Sequence, residues 1–207
     1  NLGLANALCA KLNAKCVLVQ RDWDGIQDAL LKGEVDAIVA SMSITPEREQ
    51  RFTFTEKYYH TAARFVARQG ASLQVDAADL AGKRIAVQQN TVHDRYMTRK
   101  WGSVAQISRY QTLPQAVAAL AGGKVDAVLG DGLALATSFI DKPTGKGFAF
   151  TGPALTDPGF FGKGIGIAVQ KDNVALKKSL DEALERLRAD GTYKALVARY
   201  FTFNIDG

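Results

Sequence analysis

The segment Ser41-Met42-Ser43-Ile44-Thr45-Pro46-Glu47-Arg48 places two serine hydroxyls and a guanidinium within one short stretch. Thr45 is a favoured N-cap residue and Pro46 suits the first helical position, so the stretch reads as a tight loop-to-helix junction. A guanidinium held there can grip a carboxylate through two parallel hydrogen bonds. The plainer alternative is a surface Arg48 with serines that only satisfy the turn. A second junction runs from a strand at Lys83–Gln88 through Gln89-Asn90 to Thr91. Thr91 reads as the N-cap of the next helix, whose first N–H groups favour anions. Asn90 suits a left-handed turn position. Ordinary capping explains these residues as well. Asp131 lies between Gly130 and Gly132, just past an apolar run. A carboxylate at that point needs a cation or N–H donors, and a ligand ammonium or a helix cap would each serve. Trp23 sits between a strand and a helix, where it can stack on a ligand or pack in the core.

Catalytic patterns are sparse. His60 and His93 are the two histidines, and neither falls in a Gly-x-Ser-x-Gly, His-Glu-x-x-His or Cys-His pattern. There is no phosphate-binding or dinucleotide-binding glycine fingerprint. Cys9 and Cys16 are too few for a structural zinc site. They fit two free thiols in a reducing compartment or one disulfide in an oxidising one, and their spacing does not choose.

The positioning elements emerge from a repeat. Ala29-Leu30-Leu31-Lys32-Gly33-Glu34-Val35-Asp36-Ala37-Ile38-Val39-Ala40-Ser41 resembles Ala119-Leu120-Ala121-Gly122-Gly123-Lys124-Val125-Asp126-Ala127-Val128-Leu129-Gly130-Asp131. Each reads as a helix end with glycine near its C-cap, followed by a buried strand. The copies are too far apart for a solenoid and suggest two similar α/β units. The pattern adds strands at Cys16–Gln20 and Lys83–Gln88, and helices at Trp23–Leu31, Thr91–Trp101 and Leu113–Ala121. It predicts two parallel-type sheets covered by helices. Ligands bind beyond the carboxyl ends of strands in such sheets, and Ser41 and Asp131 close equivalent strands. From Ala175 to Phe203 an amphipathic stripe, broken at Asp190-Gly191, predicts two helices with a core-facing side.

The 207 residues are 47% hydrophobic, ample for a core. No run approaches the roughly 18 apolar residues of a membrane span, and no signal peptide is visible. The net charge of +5 arises from 26 basic and 21 acidic residues. Their interleaving gives a mixed surface rather than the clustered basic face of a nucleic-acid binder.

Taken in order, several motifs resemble the periplasmic solute-binding proteins for polar amino acids, especially the lysine/arginine/ornithine/histidine-binding type. They are Asp22-Trp23-Asp24, Val35-Asp36-Ala37-Ile38, Ser41-Met42-Ser43-Ile44-Thr45-x-x-Arg48, Phe54-Thr55-x-x-Tyr58-Tyr59, Val87-Gln88-x-x-Thr91, Val125-Asp126-Ala127 and Asp131. Phe161-Gly162-x-Gly164-x-Gly166, Arg188-x-Asp190-Gly191-Thr192-Tyr193 and Tyr200-Phe201 continue the match, which covers essentially the whole chain. The resemblance implies an α/β type II periplasmic-binding-protein fold, a Venus flytrap of two Rossmann-like lobes joined by two hinge strands. Lobe one would hold residues 1–60 and 159–207, lobe two residues 64–156, with hinges near 61–63 and 157–158.

The same resemblance implies that an L-amino acid is held between the lobes. Its α-carboxylate would meet Arg48 and backbone N–H groups near Ser43 and Thr91, and its α-ammonium would meet Ser41, Ser43 and Asp131. Trp23 would stack on its side chain. Ala40 and Gln88 complete the ligand-binding set, Ala40 through its backbone because a hydroxyl common at that position is absent. Cys9 and Cys16 match a disulfide of the cationic amino-acid binders, which implies an exported, periplasmic protein. Arginine, lysine, ornithine or histidine would be the ligand and an ABC-transporter permease the partner, with no enzyme activity, cofactor, metal or nucleic acid, and a monomeric complete protein.

Asn90 replaces a glycine frequent before the threonine. The family's first strand and loop do not match any part of this chain. The expectation is that residues 1–207 are not a complete folding unit: this strand, interior to the lobe-one sheet, is absent, lies upstream of residue 1, or is supplied by another chain. Two rival readings share the fold: a cyclohexadienyl or arogenate dehydratase-like enzyme, which needs a general acid at the leaving group, and the ligand-sensing domain of a receptor.

Overall fold

The computed structural model describes residues 2–60 and 62–200. The chain opens with α1 (Leu2–Lys11), α2 (Trp23–Leu31), β1 (Ala37–Ser43), α3 (Pro46–Arg51) and β2 (Phe52–Phe54). Its middle carries β3 (Ala63–Arg68), α4 (Ala77–Leu80), β4 (Arg84–Gln88), α5 (Val92–Trp101), β5 (Gln106–Tyr110), α6 (Leu113–Ala121), β6 (Ala127–Asp131), α7 (Gly132–Leu135), β7 (Phe148–Leu155) and α8 (Pro158–Phe161). It closes with β8 (Ile165–Gln170), α9 (Val174–Ala189) and α10 (Thr192–Tyr200). Contacts divide the chain into one unit of Asn1–His60 with Gly162–Gly207 and a second of Thr61–Phe161. Thr61, the first expected hinge residue, and residues 201–203 of the expected final helix lie outside the described residues.

The repeat is visible as geometry. Gly33 and Gly123 both take left-handed backbone angles, φ 74° and 73°. The following N–H groups make matching bonds, Glu34 to the Ala29 carbonyl and Lys124 to the Ala119 carbonyl, each 2.9 Å. This is the 6→1 closure that ends helices on glycine.

The sheets differ from expectation. In the first unit β1 and β2 both pair antiparallel with β8, giving the order β1-β8-β2, so the described sheet is antiparallel. The return of the chain through β8 was not legible as a strand partner. Residues 16–20 are not a strand. Their apolar side chains point largely to solvent, with Val17 81%, Leu18 48% and Val19 49% exposed. Apolar, β-branched composition favours a strand only where a neighbour accepts its backbone hydrogen bonds, and among the described residues β1 bonds to β8 alone. The segment is instead tethered to α1 through a Cys9–Cys16 disulfide. β1 is also not covered on both faces, since only Ile38 and Met42 of it are buried.

The second unit has the order β5-β4-β6-β3-β7. β4 runs parallel to β5 and β6, while β3 is antiparallel to β6 and β7. Its two faces carry separate cores. Phe65, Leu80, Ile85, Val87, Met97 and Leu129 pack on one side, and Val66, Ala86, Leu120, Val128, Leu135 and Phe139 on the other. That alternation along β3, β4 and β6 is the period-two signature of a sheet buried on both faces. In the first unit Leu30, Ile38, Met42, Phe52, Phe54 and Ala168 form the core. Burying each of the larger of these side chains contributes about 1.5–3 kcal/mol. α9 and α10 part at Asp190-Gly191 as the stripe predicts, with the Asp190 carboxylate accepting the Thr192 N–H at 2.9 Å.

Candidate functional site

In the first unit, Thr45 caps α3 by accepting the Arg48 N–H at 3.2 Å, with Pro46 in the first turn. The cap fixes the helix start and therefore the origin of the Arg48 side chain. Arg48 is buried, 9% exposed. Its Nη1 donates to the Ser43 carbonyl at 3.0 Å, and its guanidinium carbon lies 5.5 Å from the Trp23 ring centroid. A buried cation is tolerable only with such partners. The planar fork matches a carboxylate, and the ring adds cation–π attraction. Trp23, expected as a platform for a ligand, thus has the protein's own arginine stacked on it.

Ser41 lies inside β1 rather than at its exit, two residues before the strand ends. Its φ is 56°, and the register against β8 shifts between Ile38 and Met42. This bulge carries both Ala40 and Ser41. A left-handed serine is strained and needs support. The Tyr58 hydroxyl bonds to the Ser41 backbone, and burial pushes that phenol well above its usual range, so it stays neutral. Tyr58 itself is held by its carbonyl, which accepts from Arg188 at 3.0 Å and from the Tyr193 hydroxyl. Sequence reasoning gave Tyr58 no role, although an aromatic in the Phe54-Thr55-x-x-Tyr58-Tyr59 motif was the available signal.

The glycines leading into β8 fit the same junction. Ile44 N–H donates to the Gly164 carbonyl at 2.8 Å and Lys163 N–H to the Ile44 carbonyl at 2.9 Å. At Gly162, with φ 77°, a Cβ would stand 2.0 Å from the Ile44 oxygen. Only glycine lets the two backbones approach so closely.

In the second unit, Gln88 ends β4 and its carbonyl accepts the Thr91 hydroxyl at 2.7 Å. The Gln88 amide donates to the Gln111 carbonyl at 3.2 Å. Thr91 caps α5, accepting the Asp94 N–H at 3.2 Å, and Asn90 takes the left-handed turn at φ 59°. Asp131 ends β6, which runs parallel beside β4, so both strands deliver their carboxyl ends to one sheet edge. One Asp131 oxygen accepts the Ala134 N–H at 2.9 Å and caps α7. Both readings weighed from sequence therefore persist at Asp131: it is a cap, and it is a carboxylate at the sheet's carboxyl edge. The expected residues fall into two sets, Trp23, Ala40, Ser41, Ser43 and Arg48 in one unit and Gln88, Thr91 and Asp131 in the other. His93 stacks on Phe161, with centroids 6.0 Å apart. Among the described residues no His, Cys, Asp and Glu side chains group with metal-binding geometry, and no helix is long and apolar enough to cross a membrane.

Residues 1–203 match the bacterial extracellular solute-binding proteins, family 3. The chain belongs to that family. It is 40% identical to the L-arginine-binding protein of Pseudomonas aeruginosa, a match that spans 100% of this chain and 80% of that protein. It is 34% identical to the lysine/arginine/ornithine-binding periplasmic protein of Escherichia coli, with the same coverage. Among solved structures, a periplasmic binding protein of Salmonella typhimurium with high arginine specificity superposes with a TM-score of 0.85 at 31% identity, covering 97% of this chain and 88% of that one. An ancestral arginine-binding protein bound to arginine also gives 0.85, at 29% identity, covering 97% and 86%. The fold of this family member is therefore the type II periplasmic-binding-protein fold. Its work is extracytoplasmic solute binding rather than catalysis, which sets aside the dehydratase reading.

Proposed function

We propose that the protein captures a free cationic L-amino acid, arginine first, in the periplasm and delivers it to the permease of an ABC importer. The observation that carries this reading is the capped, buried Arg48, held by the Ser43 carbonyl and stacked on Trp23. In it the cation is preorganised, so little is lost in ordering it around a ligand carboxylate. In this proposal Arg48 and the helix start at Thr91 take the α-carboxylate. Asp131 takes the α-ammonium with Ser41 and Ser43, while the Ala40 backbone and Gln88 border the ligand. Trp23 offers its ring to the ligand side chain. The two segments where the chain passes between the units serve as hinges, one near residues 61–63 and the other within residues 157–162. The names of the relatives support the ligand class, since arginine, lysine, ornithine and histidine recur among them.

A thermal-shift screen of the common L-amino acids tests the proposal. A ligand that binds only the folded state stabilises by mass action, about 2.7 kcal/mol at a hundredfold excess over Kd. Arginine, lysine, ornithine or histidine should raise the melting temperature most, and a flat response to every amino acid would dismiss the reading.

A further inference from the structure

The start of α5 contains a charge that works against the ligand proposed for it. Asp94 stands in the first turn, and a carboxylate oxygen of it accepts the Asn90 N–H at 3.2 Å while Thr91 accepts the Asp94 N–H. This reciprocal cap locks the left-handed Asn90 and the Thr91 turn in place. It also sets a negative charge, its side chain only 13% exposed, within one helical turn of the group that would attract a ligand carboxylate. A like charge so placed weakens anion binding, and poor solvent access strengthens the effect.

Arg109, on the neighbouring strand β5, answers that charge. Its Nε donates to Asp94 Oδ1 at 2.8 Å, and its Nη2 donates to the Thr98 hydroxyl at 2.6 Å. Thr98 donates in turn to the same Asp94 oxygen at 3.1 Å. Thr98 lies one turn along α5 from Asp94, so the three side chains form a closed triangle pinned to two elements. The partner is a strand residue on a chain segment that the ligand-binding motifs do not include.

We propose that Arg109 is a positioning and charge-balancing residue for ligand carboxylate recognition: it neutralises Asp94 so that Asp94 can shape the α5 start without repelling the anion. The inference rests on the reading of Thr91 and the α5 start as part of the carboxylate seat. Arg109 itself touches no ligand in this account. Its effect runs through Asp94, and it is therefore electrostatic and removable by deleting the Asp94 charge.

The test is calorimetric titration of L-arginine into the wild type, Arg109→Met, Arg109→Lys and the double variant Arg109→Met/Asp94→Asn, at low and high salt, with the melting temperature of each ligand-free protein recorded. Arg109→Met should weaken binding about tenfold at low salt, the scale of one like charge about 6 Å away at an effective dielectric of about 40. Part of that loss should vanish at high salt, where the Debye length is about 3 Å at 1 M, although Asp94, its side chain only 13% exposed, is screened less than a surface charge would be. Arg109→Lys should retain most of the affinity. The double variant should recover to within about threefold of wild type, because it removes the like charge that Arg109 balances. A merely structural Arg109 would give a loss that neither salt nor the Asp94→Asn change repairs, and that result overturns the inference, as does unchanged affinity in Arg109→Met. If the wild type itself fails to bind arginine, the functional reading falls and this inference with it. If the wild type binds and the variants behave alike, only this inference falls.

Discussion

Replacing Arg48 with alanine has consequences for folding and for binding that the geometry separates. The side chain donates one hydrogen bond to the Ser43 carbonyl and stacks on Trp23 in a buried setting. Its removal leaves that carbonyl short of a partner, at a cost of about 1–3 kcal/mol, and forfeits a cation–π contact of about 1 kcal/mol in this partly desolvated setting. The Thr45 cap uses the Arg48 backbone and survives the substitution. A loss of about 2–4 kcal/mol is tolerable against a net stability of about 5–15 kcal/mol. The ligand-free protein should therefore remain folded, its melting temperature lowered by about 2–4 °C per kcal/mol. Binding suffers more. Removing one member of a buried charge pair costs about 2–5 kcal/mol, which at about 1.4 kcal/mol per decade is a roughly 30- to 4,000-fold rise in Kd. Arg48→Lys keeps the charge and loses the fork, so it should fall between alanine and wild type. Circular dichroism melting without ligand, followed by calorimetry with L-arginine, measures both effects. A lowered melting temperature with near-native affinity would show that Arg48 braces the α3 junction and grips no ligand.

The remaining predictions are more local. Asp131→Asn should leave stability within about 0.5 kcal/mol, because asparagine caps a helix nearly as well as aspartate, yet weaken amino-acid binding by about 2–5 kcal/mol if the carboxylate meets the ammonium; calorimetry at matched melting temperatures separates the roles, and unchanged Kd would reduce Asp131 to a cap. Gly162→Ala places a Cβ against the Ile44 oxygen at a left-handed φ, so it should destabilise by about 2–5 kcal/mol in denaturant melts; a loss below the low end of that range would mean the close approach relaxes easily. Cys9 and Cys16 should resist thiol labelling in unfolded, unreduced protein, and a Cys9→Ser/Cys16→Ser variant should lose about 2–3 kcal/mol for so short a loop; two reactive thiols would contradict the pairing.

The sequence was most informative where local rules suffice. The helices at Trp23–Leu31 and Leu113–Ala121 end where their glycines and periodicity place them. Thr45 and Thr91 act as caps, and Pro46 opens α3, because helix starts depend on residues a few positions apart. Strand pairing depends on distant partners, and it was there that the reading failed. Nothing in Ile165–Gln170 announces that β8 will lie antiparallel between β1 and β2. Val17, Leu18 and Val19 have strand-forming side chains but no ladder among the described residues. At the site, residue types pointed to Arg48, Thr91 and Asp131. The bulge that turns Ser41 left-handed, and the Tyr58 hydroxyl that supports it, arise from tertiary packing and have no local signature.

The central claim is that the protein recognises both α groups of an amino acid. It is tested most directly by calorimetric titration of the wild type with L-arginine, with agmatine, which lacks the α-carboxylate, and with 5-guanidinopentanoic acid, which lacks the α-amino group. The account predicts saturable binding of arginine and a loss of at least about 2 kcal/mol with each analogue, since each leaves a buried charge unpaired. Agmatine or 5-guanidinopentanoic acid binding as tightly as arginine would contradict it.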